Sequence, residues 1–404
     1  MNVIVKPARL CGEIAAIPSK SQAHRMLICA ALASEPTLIP CQSAGQDMDA
    51  TARCLRALGA KIMCDAEGYH VSPITEKNHD PVLDVGESGS TLRFLLPVVC
   101  ALGVNATFVL HGRLAQRPLE PLWSELQRNG ARLSRGENTI DVSGHLTGKR
   151  YTLAANVSSQ FLSGILMALP ILGGGSLTMT GKLESEGYLN MTVEALRRFG
   201  IDIERKEHTF HVASGPLQSS GMGIVEGDWS NSAFWLCAEA IGGEELKVKG
   251  LDPASPQGDR AVVEVIAAIR KGNAVIDCTQ IPDLVPPLAV LAALTPGTTR
   301  FVGAARLRLK ESDRITACVQ LLRSLGGEAE ELPDGFTVEG KRRLRGGIVD
   351  SFGDHRIAMA AAIAAAGCEE EIEIMNPQAV EKSYAAFWQD YCRLGGSIAR
   401  KEAT

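Results

Sequence analysis

The chain has 404 residues, of which 45% are hydrophobic and 22% charged, and its formal net charge is −5. That length exceeds one ordinary core and predicts two domains, and the acidic balance argues against a general nucleic-acid or anionic-membrane surface while leaving room for a local basic pocket. Aromatics at 5% offer few platforms for stacked bases, and eleven cysteines without a C-x-x-C pair indicate neither a zinc ribbon nor a disulfide framework.

Two strand-like pieces, "MNVIVKP" and "GEIAAI", open the chain and hold no signal-peptide core. No apolar run reaches membrane-spanning length, so the expected location is the cytoplasm, with reduced thiols. Six copies of one pattern follow, spaced by roughly 70 residues, longer than common solenoid periods. Each begins with a polar segment leading into an apolar helix and a short strand. In chain order these read "PSKSQAHRMLICAALASEPTLIP", "GESGSTLRFLLPVVCALGVNATFVLHG", "ANVSSQFLSGILMALPILGGGSLTMTG", "GDWSNSAFWLCAEAIGGEELKVKG", "IPDLVPPLAVLAALTPGTTRFVGA" and "FGDHRIAMAAAIAAAGCEEEIEIM". An amphipathic second helix follows in each, from "DMDATARCLRALGA" through "ESDRITACVQLLRSLGG" to "KSYAAFWQDYCRLGG", ending in glycine as helix C-caps commonly do.

Alternating strand pairs such as "NTIDVSG" and "HTFHVAS" close the units. Unit four reads as shorter, its closing strands clipped to "NAVIDC". The sixth lacks a closing pair, which the N-terminal strands can supply. The expected domains are therefore 18–226, holding repeats one to three, and 1–17 plus 227–404, holding repeats four to six. The first helices are the more apolar and are expected to be buried. The fold class is α/β with mixed sheets and no Rossmann unit: no G-x-G-x-x-G follows a strand, and no phosphate-binding P-loop occurs.

Chemistry concentrates at the first-helix starts: Ser19-Lys20-Ser21 with Arg25, Glu87-Ser88-Gly89-Ser90 with Arg93, Ser158-Ser159-Gln160, Ser230-Asn231-Ser232, Asp283, and Asp354-His355-Arg356. Serine and aspartate there are first of all N-caps. Lysine and arginine are different, because a helix N-terminus already carries partial positive charge and a cation belongs there only if an anion lands beside it. "LAQRPLEP" with Arg117, "LRLKESDR" with Lys310, Glu311, Asp313 and Arg314, and "AVEKSYAAF" with Lys382 extend the pattern. Asp283 in the apolar "IPDLVPPLAV", and Glu311 among cations, fit a general acid or base in a partly desolvated cleft, although a plain helix cap also fits Asp283. With no G-x-S-x-G, H-E-x-x-H or EF-hand motif, the expected chemistry is acid–base and electrostatic work on small polyanions, without metal or nucleotide cofactor.

Taken together, "PSKSQAHR", "GESGSTLRF", "QRPLEPL", "SSQF", "IPDLVPPLAV", "LKESDRI", "GDHRIAMA" and "EKSY" resemble the EPSP synthase (3-phosphoshikimate 1-carboxyvinyltransferase) family nearly end to end. The resemblance implies two domains, each of three β-α-β-α-β-β repeats, the six-repeat inside-out α/β enolpyruvyl transferase fold. It also implies the shikimate-pathway reaction, in which phosphoenolpyruvate and shikimate 3-phosphate give EPSP and phosphate through a tetrahedral intermediate in an interdomain cleft. Carried over position by position, Lys20, Gly89, Arg93, Arg117, Gln160, Arg314, Arg356 and Lys382 match phosphoenolpyruvate contacts. Ser21, Arg25, Ser158, Ser159, Gln160, Ser185, Asp283 and Lys310 match shikimate 3-phosphate contacts. Asp283 matches the base on the reacting hydroxyl, and Glu311 the proton donor, with Lys20 and Lys382 as assistants. No cofactor, metal, nucleic acid or membrane is implied, and a monomer is.

Three positions depart from the family pattern: Glu87 and Ser90 stand where asparagine and threonine are usual, and Arg306 where asparagine or histidine is expected. His24 gains no role and is expected on the helix surface. A related family acting on UDP-N-acetylglucosamine carries a reactive cysteine five residues before the arginine matching Arg117. Here that position is Gly112. A non-catalytic repeat scaffold or nucleic-acid binder predicts a net basic chain and has no need for Asp283 or Glu311.

Overall fold

The structure is a computed structural model and describes residues 2–41, 45–242 and 245–401. The chain divides into a continuous unit, Pro18–Glu226, and a discontinuous unit, Met1–Ile17 with Gly227–Thr404. Each has its own hydrophobic core.

Strands β1 (Asn2–Lys6) and β2 (Gly12–Ala15) come first. In the continuous unit, repeat one contains α1 (Lys20–Leu32), β3 (Thr37–Ile39), α2 (Gln46–Leu58), β4 (Lys61–Cys64) and β5 (Tyr69–Ser72). Repeat two contains β6 (Val82–Gly86), α3 (Gly89–Leu102), β7 (Ala106–Leu110), α4 (Leu122–Arg128), β8 (Ala131–Arg135) and β9 (Thr139–Gly144). Repeat three contains β10 (Arg150–Ala154), α5 (Ser159–Ala168), β11 (Gly175–Thr180), α6 (Glu186–Arg198), β12 (Ile203–Lys206) and β13 (Thr209–Val212).

The discontinuous unit continues with α7 (Trp229–Gly242), β14 (Leu246–Lys249), α8 (Val262–Arg270), β15 (Ala274–Asp277), α9 (Val285–Ala293) and β16 (Gly297–Val302). Then come α10 (Arg314–Ser324), β17 (Glu328–Leu332), β18 (Gly335–Gly340), β19 (Gly347–Asp350), α11 (His355–Ala364), β20 (Ile372–Met375), α12 (Phe387–Arg393) and β21 (Ser397–Lys401).

Three sheets share one order: β6-β7-β9-β8, β10-β11-β13-β12 and β15-β16-β18-β17. In each, the first two strands run parallel across a buried helix, and the rest is antiparallel. Repeat one begins without such a strand; the late segment around Gly221 lies beside β3 instead, Leu38 N donating to Gly221 O at 2.9 Å and Gly223 N to Leu38 O at 2.8 Å.

Two expectations are corrected. "NAVIDC" does not close repeat four: its β15 pairs parallel with β16 and opens repeat five, so repeat four has only the two-stranded sheet of β2 and β14. The last repeat is not closed by the N-terminal strands alone. β1 lies between β20 and β21, so the N-terminus supplies one strand and the segment "SIARK" the other. The physical reason is the crossover: a parallel pair needs a helix between its strands, and α9 is the one that follows "NAVIDC".

Helix burial follows the hydrophobic pattern. All nine residues of α9 and all ten of α11 are buried, as an all-round apolar helix requires. The second helices are one-sided: α2 buries Met48, Ala52 and Leu55 while Arg53 and Arg56 stay outside. Glycines 59, 130, 200, 272, 326 and 395 follow the second helices, all at positive φ. No helix among the described residues is long and apolar enough to cross a membrane.

Close packing of α3 on α5 depends on Gly164, where a β-carbon would collide with Arg93 O and lie 3.0 Å from Pro97 Cγ. Gly164→Ala is expected to destabilise by about 1–3 kcal/mol, exceeding the roughly 0.5–1 kcal/mol that alanine gains in a helix. The urea midpoint measures it, and a midpoint at or above that of the parent would contradict this packing.

Candidate active site

The helix starts differ in charge. The first turns of α2, α4, α6, α8 and α12 each carry an acid, whereas those of α1, α3, α5, α7, α9 and α11 carry none, and neither does that of α10, which begins at Arg314 behind the cap Asp313. The acids stabilise the outer helices against their own dipoles, and the buried helices leave their positive ends for other anions.

In the continuous unit, Ser19, Ser88 and Ser158 do cap α1, α3 and α5. Over the start of α3 two guanidinium groups converge: a β-carbon on Gly89 would lie 2.8 Å from Arg93 Nη1 and 2.9 Å from Arg117 Nη1. Arg93 Nη1 donates to Gln160 Oε1 at 2.8 Å, and Gln160 Nε2 to Ser90 Oγ at 2.9 Å, so the starts of α3 and α5 are joined. Lys20 Nζ donates to Asp47 Oδ2 at 2.8 Å.

Arg25 is buried. It donates through Nε to Thr192 Oγ1 at 2.7 Å, through Nη1 to Ser21 O at 2.6 Å, and through Nη2 to Tyr188 O at 2.8 Å and Ser163 Oγ at 3.3 Å. Phe94 lies under the guanidinium at 4.7 Å. Burial lowers its pKa to about 10, since its partners are mostly neutral oxygens. Ser185 is buried at φ 55°, a left-handed conformation uncommon for a residue with a side chain, immediately before α6. Ser159 begins α5 and is buried.

In the discontinuous unit the centre is Arg314, the first residue of α10 and 1% exposed. Its Nε and Nη2 donate to Asp354 at 2.8 and 3.3 Å, Nη1 to Asp283 Oδ1 at 2.8 Å, and Nη2 also to Glu311 Oε2 at 2.8 Å. Lys310 Nζ is 3.5 Å from Asp283 Oδ1, and Arg356 Nη2 is 3.5 Å from Asp283 Oδ2. Burial raises the Asp283 pKa, but Arg356, Lys310 and Arg314 together hold it well below the usual carboxylate range. Asp354 is likewise pushed up by burial and brought down by Arg314, then His355. Burial lowers Lys310 despite Asp283, and the three carboxylates drive Arg314 well upward against its own burial. Lys382 is buried at the end of the turn Pro377–Lys382.

Some single-residue readings change. Asp283 is not a cap: α9 begins at Val285 behind Leu284, with no side-chain cap bond. Asp228, not the Ser230 cluster, caps α7, accepting from Asn231 N at 2.8 Å. His24 is fully buried rather than on the surface, because α1 is enclosed on nearly every side. Its Nδ1 is 2.7 Å from Thr51 Oγ1, and burial drops its pKa to about 3. Arg306 donates to Thr279 O at 2.9 Å and lies near enough to Lys310 to lower it.

Residues without an assigned role also join the sets. Asp47 pairs with Lys20, Thr192 and Ser163 hold Arg25, and Asp354 with Ser312 anchors Arg314. The acid at the start of "DHRIAMA" was the visible signal for Asp354. The hydroxyls carried none, since serine and threonine look alike in caps and networks.

The EPSP synthase (3-phosphoshikimate 1-carboxyvinyltransferase) family model matches residues 4–391. This chain belongs to that family. The 3-phosphoshikimate 1-carboxyvinyltransferase of Clostridium acetobutylicum is 40% identical, with 98% of each chain aligned, and that of Clostridium perfringens is 36% identical over 98% of this chain and 99% of its own. An EPSP synthase structure from Acinetobacter baumannii superposes with a TM-score of 0.80 at 24% identity, covering 99% of this chain and all of that one. The enolpyruvyl transferase NikO from Streptomyces tendae superposes at 0.77 with 19% identity, covering all of this chain and 99% of that one. At those identities the structures establish the six-repeat enolpyruvyl transferase fold.

Arg314→Met removes the main cation of a fully buried Asp354 and is expected to cost about 3–5 kcal/mol at neutral pH. In the parent, depressed carboxylate pKa values contribute stability above about pH 4, and it is lost as pH falls through the folded values. Without Arg314, burial dominates and the Asp354 pKa rises above its unfolded value, so the variant regains stability as pH falls from 7.5 to 5.5. Urea midpoints at the two pH values test this; an equal deficit at both would refute the assignment.

Proposed function

We propose that this chain transfers the enolpyruvyl group of phosphoenolpyruvate to the 5-hydroxyl of shikimate 3-phosphate, giving EPSP and phosphate. The observation that carries the reading is Asp283, an ionised carboxylate held among Lys310, Arg314 and Arg356 in a chain of this family. The hydroxyl oxygen attacks C2 of phosphoenolpyruvate while C3 takes a proton, forming a tetrahedral intermediate. Loss of phosphate from C2 and of a proton from C3 then restores the double bond.

Asp283 accepts the hydroxyl proton. Glu311 supplies the proton to C3, with Lys20 and Lys382 as assistants. Lys20, Arg93, Arg117, Gln160, Arg314, Arg356 and Lys382 bind phosphoenolpyruvate, with the open backbone of Gly89 admitting the anion to the α3 start. Ser21, Arg25, Ser158, Ser159, Gln160, Ser185 and Lys310 bind shikimate 3-phosphate. Fixed guanidinium forks suit carboxylate and phosphate, and the helix N–H groups add donors that need no reorganisation. The assigned residues fall in both units, 18–226 and 1–17 plus 227–404, and the proposed active form is a cytoplasmic monomer.

Gly112 weighs against the UDP-N-acetylglucosamine reading. Its φ is 52°, a left-handed conformation that a cysteine adopts only with strain.

Phosphate release from phosphoenolpyruvate with shikimate 3-phosphate is the direct assay. Asp283→Asn and Glu311→Gln are each expected to reduce turnover by about 10²–10⁴-fold with the fold intact by circular dichroism. Release only with the UDP-sugar would overturn the substrate assignment, and normal turnover in either variant would remove that residue's role.

A further inference from the structure

The turn that delivers Arg117 is held at three places to the end of β6 and the residue that follows it. His111 N donates to Gly86 O at 2.9 Å, and His111 Nε2 lies 3.1 Å from Asp84 Oδ1. The third is unusual: the carboxylate of Glu87 lies directly against Gly112, whose missing side chain it replaces in space. Gly112 opens the turn Gly112–Gln116, which ends at Arg117. Arg117 N donates to Leu114 O at 3.1 Å within that turn, and Arg135 Nη2 donates to Arg117 O at 3.3 Å behind it. The guanidinium then reaches back over Gly89, two residues beyond Glu87.

We infer that Glu87 is a positioning residue for Arg117: its carboxylate seats the Gly112 turn, and the seat sets where the guanidinium stands over the α3 start. The role rests on the assignment of Arg117 to phosphoenolpyruvate. It needs a planar group of glutamate size at position 87 and no β-carbon at position 112. The contact with Gly112 is one of size and shape, which the isosteric amide keeps. Because the carboxylate is the flexible, exposed partner, a methyl group at 112 displaces it. Gly112→Ala and Glu87→Ala therefore remove the same contact.

Steady-state kinetics of the full chain test this with five variants, the single Gly112→Ala among them. Glu87→Ala is expected to raise the KM for phosphoenolpyruvate about tenfold, with kcat and the KM for shikimate 3-phosphate changed less than threefold. Glu87→Gln stays within threefold of the parent. The double variant Glu87→Ala/Gly112→Ala is no worse than the more affected single variant, as expected for two changes at one contact. Additive effects, or a Glu87→Gln variant as impaired as Glu87→Ala, would overturn the inference. Arg117→Met separates the two levels. If it leaves the KM for phosphoenolpyruvate unchanged, the assignment of Arg117 is wrong. If it raises that KM and Glu87→Ala does not, the seat is wrong.

Discussion

Among the described residues each unit holds one arginine at 1% exposure, Arg25 or Arg314, and the organisation of its helix starts depends on what that arginine finds inside. Removing a guanidinium from water costs several kcal/mol unless every donor is met. Arg25 meets hydroxyls and carbonyls from α1, α5 and α6, and the lack of a countercharge shows as a lowered pKa. Arg314 meets three carboxylates, and its pKa rises. Both groups act as bolts between helix starts. The first leaves its surroundings short of negative charge, whereas the second sits in a charge-matched cluster.

The partners account for the difference. Thr192, Ser163 and the Tyr188 carbonyl are supplied by helices whose polar side chains have few alternatives inside the core. Asp354 caps α11 while holding Arg314, so one carboxylate satisfies a helix end and a buried cation together. Truncating either bolt strands several groups at once, so Thr192, Ser163 and Asp354 act through the arginine they hold.

Much of this was legible in the sequence. The alternation of wholly apolar and one-sided helices, each of the latter closed by glycine, reports burial directly, because a helix without a polar face cannot lie at a surface. The cations at buried-helix starts were legible for the same kind of reason: they oppose the dipole. Strand allegiance was not, since "NAVIDC" reads the same whether it closes one repeat or opens the next, and only the crossover decides. His24 misled because its polarity suggested a surface, while a neutral imidazole bonded to Thr51 is accommodated in the core. The pairing of Lys20 with Asp47 joins helices that are adjacent only once folded.

The depressed pKa of Asp283 bears on the proposed reaction in a way that the resting structure makes explicit. A carboxylate held far below neutrality is secure as an anion but a weak base. The charges responsible are Arg356, Lys310 and Arg314, and under the proposed reaction those same groups bind phosphate and carboxylate. When substrate anions take up their hydrogen bonds, the field on Asp283 falls and negative charge is added nearby. Both effects raise its proton affinity. Base strength thus becomes a consequence of occupancy. Under the proposed reaction the cluster is ionised before substrate binds and gains the ability to move protons once the substrate anions are in place.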